Sequence, residues 1–127
     1  MPCDSLLSSD LGGKMLAPGV YCEGAAQGVE GEMFLDAKGD PNATFVIKAG
    51  STLTTVAGKV TLLGGARAGN IYWLVGSSAT LGYGSELKGN IIVFTSITVG
   101  NDVTLEGRAL ARNGAVVLGT GDVVTLP

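Results

Sequence analysis

Side chains capable of acid-base or metal chemistry are scarce in this sequence. It contains no histidine, two cysteines and eleven acidic residues, so histidine-based triads, proton shuttles and histidine metal sites are excluded. Four carboxylates lie close together in the chain, but they lack a repeated ligand spacing and adjoin turn residues: Glu30, Glu32, Asp36 and Asp40. We interpret them as solvated loop charges. The sequence therefore predicts no catalytic residues, no metal, no cofactor and no enzymatic activity.

The feature that most resembles a site is a regular array of small hydroxyl side chains. Alternate residues of a β-strand point to opposite sides, and hydroxyls recur at the same two outward positions of successive repeats. One column is Thr52, Ser78, Ser96 and Ala115, and the other is Thr54, Thr80, Thr98 and Val117. Residues two apart on a strand lie about 6.5 to 7 Å apart, and paired strands about 4.8 Å apart. Such a flat array of methyl and hydroxyl groups is suited to ordering water and merging with a crystal of ice.

Internal repetition supplies the elements that would hold this array. Stretches that start at Thr44, Asn70, Asn90 and Arg108 align with one another, at spacings of about 26, 20 and 18 residues. Each contains three short runs rich in β-branched and aromatic residues, separated by Gly, Asn or Asp. Three short strands per repeat predict an all-β fold, a parallel β-helix (solenoid) of triangular cross-section. The length of the chain favours one domain over residues 1–127.

The inward columns of the second strand are mostly of core type: Leu53, Ala79, Ile97, Val116 and Thr55, Leu81, Val99, Leu118. On the first strand we assign Ile47, Trp73, Ile91 and Leu110 to one core column. This alignment places Arg112 where Ala49 and Val75 would be buried. The third strand carries an ordinary solvated face with Glu86, Lys88, Thr104 and Glu106 pointing outward.

Charge and hydropathy limit the partners of the chain. The net charge is -3 and the basic residues are scattered, which argues against nucleic-acid binding. No apolar run approaches the roughly 20 residues that cross a bilayer, and the first residues lack the pattern of an export signal. We therefore expect a soluble chain without membrane insertion. Cys3 and Cys22 permit one disulfide, and two free thiols in a reducing compartment remain the equal alternative.

Five ordered motifs resemble the microbial ice-binding (antifreeze) protein family with a discontinuous β-solenoid fold. They are LGGKMLAPGVYC (11–22), LDAKGDPNATFVIKAGSTLTT (35–55), WLVGSSATLG (73–82), TSITV (95–99) and GRALARNGAV (107–116). The resemblance implies a right-handed solenoid, ice as the partner, and secretion or display at the cell surface. It assigns ice contact to Thr52, Thr54, Ser78, Thr80, Ser96, Thr98 and Ala115. It also favours a disulfide between Cys3 and Cys22.

From the resemblance we expect the sequence to lack counterparts of the family's N-terminal coils and long helix. Part of the ice-facing sheet is then expected to be missing, and uncovered apolar surface and strand edges would favour a homodimer. Val117 further reduces the hydroxyl-bearing part of the face, because it occupies a position where a hydroxyl would fit better. Ice binding through the Thr/Ser-rich face is the leading hypothesis. The alternative is a structural, adhesion or assembly solenoid without ice activity.

Overall fold

The structure, a computed structural model, describes residues 5–6, 13–23 and 26–125. Almost all regular structure in these residues is β-strand, and a short 3-10 turn at Ala68–Asn70 is the one helical segment among them. The strands are β1 Ser5–Leu6, β2 Met15–Leu16, β3 Gly19–Glu23, β4 Gln27–Asp36, β5 Phe45–Ala49, β6 Leu53–Leu63, β7 Ile71–Val75, β8 Ala79–Leu81, β9 Glu86–Val93, β10 Ile97–Val99, β11 Thr104–Ala111, β12 Val116–Val117 and β13 Val123–Thr125.

Strands of successive coils pair in parallel and form three faces along the stack. The first face contains β1, β3, β5, β7 and the later parts of β9 and β11. The second contains the early parts of β4 and β6, followed by β8, β10 and β12. The third contains β2, the later parts of β4 and β6, the early parts of β9 and β11, and β13. The predicted all-β parallel solenoid with three strands per coil is confirmed, and crossover chirality makes such a coil right-handed.

The core fills the interior of the stack with the inward residues of all three faces. On the second face Leu53, Ala79 and Ile97 are at most 1% exposed. Trp73 is equally buried, and its indole N–H donates a hydrogen bond of 3.0 Å to the carbonyl oxygen of Lys88. This bond satisfies the one polar group of the largest core side chain, which would otherwise be costly to bury.

Two stacked glycines form a tight corner between the third and the first face. Gly89 and Gly107 lie opposite each other in β9 and β11, with φ of 115° and 152°. A Cβ atom on Gly107 would lie 1.9 Å from the carbonyl oxygen of Gly89. Only glycine fits such a close backbone approach, so this corner sets how the third face passes into the next coil.

The register of the first face differs from the sequence alignment. Tyr72 lies opposite Asn90, so the spacing of these coils is 18 residues, and the proposed pairing of Asn70 with Asn90 is wrong. Asn70 belongs to the 3-10 turn that precedes β7. The core column of Ile47, Trp73 and Ile91 is confirmed, but Ala109 completes it. Leu110, assigned to the core from the sequence, points outward and is 51% exposed.

The same correction removes the predicted burial of Arg112. Ala111 occupies the column of Ala49, Val75 and Val93. Arg112 is exposed at the following corner, with its guanidinium carbon 5.9 Å from the centroid of the Phe94 ring. This distance is typical of a cation-π contact, so the arginine lies outside the core and covers an exposed aromatic ring.

In the last described coil the predicted inward positions are not buried. Val116 is 39% and Leu118 54% exposed. No further coil of the described residues is stacked on them, so their core-type side chains lack cover on one side.

The alternation on β10 is testable with two neighbouring substitutions. Ile97→Ala should lower the free energy of unfolding by about 2 to 5 kcal/mol, because it leaves a cavity in the core. Thr98→Ala, at the adjacent exposed position, should change it by less than about 0.5 kcal/mol. Urea unfolding of both variants provides the measurement. Equal losses for the two variants would contradict the assigned orientation.

Candidate functional site

The hydroxyl columns predicted from the sequence lie in register on the second face. Thr54 in β6, Thr80 in β8 and Thr98 in β10 are direct neighbours in the parallel ladder, and all three are exposed. Thr52, Ser78 and Ser96 precede the inward residues of the same strands and are half-buried. Ala115 is exposed and precedes Val116, which lies opposite Ile97. The structure therefore brings all seven predicted contact residues to one strip of the surface.

Hydrogen bonds to neighbouring hydroxyls and backbone groups reduce the conformational freedom of the serine side chains in this strip. The Oγ atoms of Ser78 and Ser96 are 3.4 Å apart across two coils, a weak hydrogen bond. Ser77 Oγ accepts a hydrogen bond of 2.6 Å from the Ser78 backbone N–H. The hydroxyls on this side of the face are thus partly oriented by the protein itself.

A buried polar cluster supports the opposite edge of the strip from below. Thr55 Oγ1 and Ser85 Oγ are 2.7 Å apart, although 30 residues separate them in the chain. The backbone N–H of Gly82 donates to Thr55 Oγ1 at 3.1 Å, and that of Gly58 donates to Ser85 Oγ at 3.2 Å. Buried hydroxyls are stable when their hydrogen bonds are satisfied in this way. The cluster ties together the corners of two coils, just after Thr54 and Thr80 in the chain.

Residues without a hydroxyl border the threonine column at both ends. Gly28 in β4 lies opposite Thr54, and Val117 in β12 lies opposite Thr98. Glu30 is the one charged residue among the described outward positions of this strip. Sequence reasoning did not include the β4 coil, because Ala26 and Gly28 carry no hydroxyl to reveal it. Hydroxyl side chains therefore occupy three coils of the strip, and the paired strands continue the strip into the β4 and β12 coils.

A further line of hydroxyls, which sequence reasoning missed, lies at the corner before the second face. Ser51, Ser77 and Thr95 stack through backbone bonds from Ser77 N to Ser51 O (2.7 Å) and from Thr95 N to Ser77 O (2.8 Å). Ser51 and Thr95 are exposed and Ser77 is half-buried. Each precedes one of the predicted contact residues directly. The recurrence of two adjacent hydroxyls in three repeats was a usable signal in the sequence.

The third face has a different chemistry. Lys59 and Glu86 form an ion pair at 3.8 Å, and Lys88 and Glu106 form another at 3.7 Å. These pairs cross neighbouring coils, as expected for residues opposite each other in the ladder. The solvated, charged face predicted from Glu86, Lys88, Thr104 and Glu106 is confirmed.

Two of the clustered carboxylates stabilise turns. Asp36 Oδ1 accepts a hydrogen bond of 2.8 Å from Lys38 N, and Asp40 Oδ1 accepts one of 2.9 Å from Asn42 N. Both are local bonds typical of Asp in turns. Within residues 13–23 and 26–125 no group of three or more His, Cys, Asp or Glu side chains is placed to hold a metal ion.

Comparison with known proteins identifies the family of this solenoid. A family model described as ice-binding-like matches residues 1–124. The chain belongs to this ice-binding-like family. It is 45% identical over 124 residues to an ice-binding protein of Nostoc sp. (strain HG1), covering 97% of the chain and 46% of that protein. It is 32% identical over 121 residues to an ice-binding protein of Flammulina populicola, covering 94% and 48% respectively.

Solved structures of ice-binding proteins share the fold closely. The protein from the Antarctic ascomycete Antarctomyces psychrotrophicus matches with a TM-score of 0.95 and 35% identity, over 100% of this chain and 63% of that one. An ice-binding protein from an Antarctic biological consortium matches with a TM-score of 0.93 and 47% identity, over 98% and 58%. The chain spans about half the length of the curated relatives described above.

The predicted disulfide falls only in part within the described residues. Cys22 lies in β3, half-buried, opposite Leu6 of β1, and is not a free thiol. Its predicted partner, Cys3, lies outside the described residues. The pairing of Cys3 with Cys22 therefore stays a prediction.

Digestion under non-reducing conditions should release the peptides of Cys3 and Cys22 as one disulfide-linked species. In the chain-entropy model a loop of about 20 residues contributes roughly 3 kcal/mol, so Cys3→Ser and Cys22→Ser should lower the melting temperature equally. Alkylation of two free thiols in the unreduced protein would contradict the pairing.

Proposed function

We propose that this protein adsorbs to ice through the second face of the solenoid. The proposed contact residues are Thr52, Thr54, Ser78, Thr80, Ser96, Thr98 and Ala115, with Ser51, Ser77 and Thr95 along the margin. One observation carries the proposal: Thr54, Thr80 and Thr98 are exposed and in register on three consecutive coils. The family membership of the chain and the ice-binding relatives support ice as the ligand.

The physical basis is a match between two ordered surfaces. Neighbouring coils place equivalent threonines about 4.8 Å apart, and alternate residues of one strand are about 6.5 to 7 Å apart. Each threonine presents a methyl group that water must surround and a hydroxyl that anchors this water. Because the strands are held by ladder bonds on both sides, adsorption orders few additional side chains and costs little conformational entropy.

The central threonine provides the sharpest test. Thr80→Tyr places a ring above the middle of the strip and holds ice away from the neighbouring hydroxyls. Ice-affinity partition of the variant should fall by about tenfold or more, equivalent to a loss of at least about 1.4 kcal/mol. The melting temperature should stay close to that of the unmodified protein, because Thr80 is exposed and exposed substitutions usually change stability little.

Thr104→Tyr is the matched control. Thr104 is the same residue type on a paired strand of the third face, opposite Glu86 and Val123, and takes part in neither ion pair. This variant should partition into ice like the unmodified protein. Equal losses for Thr80→Tyr and Thr104→Tyr would refute the assigned face. A folded protein without any ice adsorption would instead favour a structural or adhesion module.

We also propose that the protein acts as a binding protein outside the cell and not as an enzyme. The family's description as ice-binding-like supports a binding role. Cys22 is disulfide-bonded, and disulfides persist mainly in oxidising compartments, which supports a location outside the cell. No helix among the described residues is long and apolar enough to span a bilayer.

Self-association is a further expectation, supported by the apolar character of the first face. Its outward positions include Leu74 and Ile92, which are half-buried, and Leu110 and Phe94, which are 51% exposed each. Exposed apolar patches of this kind favour association, and a dimer is the simplest closed arrangement. Light scattering at high micromolar concentration should report a dimer, and Leu110→Lys should shift it toward the monomer. A stable monomer of the unmodified protein would contradict this expectation.

A further inference from the structure

We propose that Asn113 is a site of spontaneous deamidation, built into the corner between the first and the second face of the last described coil. Asn113 is followed by Gly114, and both residues are exposed in a bend. It is the one asparagine of the sequence that precedes a glycine. Asparagine is among the chemically labile residues. Its rate of deamidation depends on whether the backbone nitrogen of the next residue can reach its side chain.

The corner that contains Asn113 is longer than the equivalent corners of the preceding coils. Val93 and Ile97 are four residues apart, whereas their ladder partners Ala111 and Val116 are five residues apart. The extra residue is accommodated in the bend, where the last ladder bond before β12 runs from Asn113 N to Phe94 O at 3.0 Å. The backbone beyond Asn113 thus leaves the regular ladder until Ala115 and Val116 rejoin it.

Glycine at position 114 is required by the packing of the coils. A Cβ atom there would lie 2.4 Å from the carbonyl oxygen of Thr95 and 3.1 Å from the Cβ of Ser96. The same absence of a Cβ leaves the nitrogen of Gly114 sterically accessible to the Asn113 side chain. Among the described residues no hydrogen-bond acceptor is found for this N–H. The labile pair therefore follows from how this corner fits against its neighbour.

The other asparagines are held in ways that oppose the same reaction. After Asn42, Asn70 and Asn101 the next backbone N–H is hydrogen-bonded, from Ala43 to Asp40 O, from Ile71 to Ala68 O and from Asp102 to Thr120 O.

Asn90 is 4% exposed within β9, and its side-chain amide donates to the carbonyl oxygens of Gly69 and Ile71. Asn101 also uses its side-chain oxygen to accept a hydrogen bond of 2.9 Å from Thr120 N. Asn42, Asn70, Asn90 and Asn101 are therefore internal controls in the same molecule.

The reaction needs only water as a co-reactant. The Gly114 nitrogen attacks Cγ of Asn113, a new N–Cγ bond forms, and the Cγ–Nδ2 bond breaks. The backbone amide proton is lost and ammonia leaves, so that a cyclic imide remains. Water then opens one of the two imide C–N bonds and yields aspartate or isoaspartate. The net change is the gain of one water and the loss of one ammonia, with one added negative charge.

The product alters the margin of the second face. A carboxylate at position 113 lies two residues before Ala115, and isoaspartate also inserts an extra backbone carbon into a corner that already contains one additional residue. A consequence for ice adsorption rests on the proposed function, whereas the modification itself does not. Its detection by mass therefore tests the site independently of any ice assay.

The experiment is incubation of the full chain at mildly alkaline pH, followed by cleavage after glutamate. This releases residues 107–127, which contain Asn113 as their one asparagine, and residues 87–106, which contain Asn90 and Asn101.

The 107–127 peptide should acquire the deamidated mass and split chromatographically into aspartate and isoaspartate forms, while the 87–106 peptide stays unmodified. Asn113→Gln should abolish the change in its own peptide. Deamidation of 87–106 at the same rate as 107–127, or an Asn113 that persists as long as Asn101, would overturn the proposal.

Discussion

The hydrogen-bond ladder between successive coils is the constraint on which every face of this molecule depends. On the second face, Leu53 N donates to Ser78 O, Ala79 N to Ser96 O and Ile97 N to Ala115 O, at 3.0 to 3.1 Å. A slip of one residue in any coil would turn its core side chains outward and its hydroxyls inward. Burial of the inward column therefore keeps the hydroxyl column in register, and the core and the candidate site share one physical cause.

The same argument explains which parts of the fold were predictable from the sequence. On the second face Ile97 is buried and Thr98 is exposed, so the period-two pattern was visible and the predicted register is right. The first face gives no such signal. In β7 the outward residues Tyr72 and Leu74 are as apolar as the inward ones. Without alternation the register depends on loop lengths, which is why Leu110 and Arg112 were misplaced by one residue.

Parts of the site escaped prediction because they depend on contacts between distant segments. Thr54 and Thr55 are identical in type, yet one is exposed on the face and the other is buried against Ser85. The sequence does predict which threonine points inward. It does not show that Ser85, from a turn 30 residues later, supplies the hydrogen-bond partner that makes a buried hydroxyl tolerable. The support beneath the face is thus a tertiary feature, whereas the face itself is a sequence pattern.

The strand ladder of the second face extends further than the hydroxyl side chains that it carries. Beyond Thr98 the ladder continues into β12, because the extra residue is absorbed at the Asn113–Gly114 corner and Val116 still lies opposite Ile97. The side chains change, however, since Ala115 and Val117 carry no hydroxyl. On the other side Gly28 continues the strip without a side chain. The strip therefore extends over five described coils, but hydroxyl side chains occupy only three of them. The ladder sets the length of the strip, and the residue types along it set how many hydroxyls the strip presents.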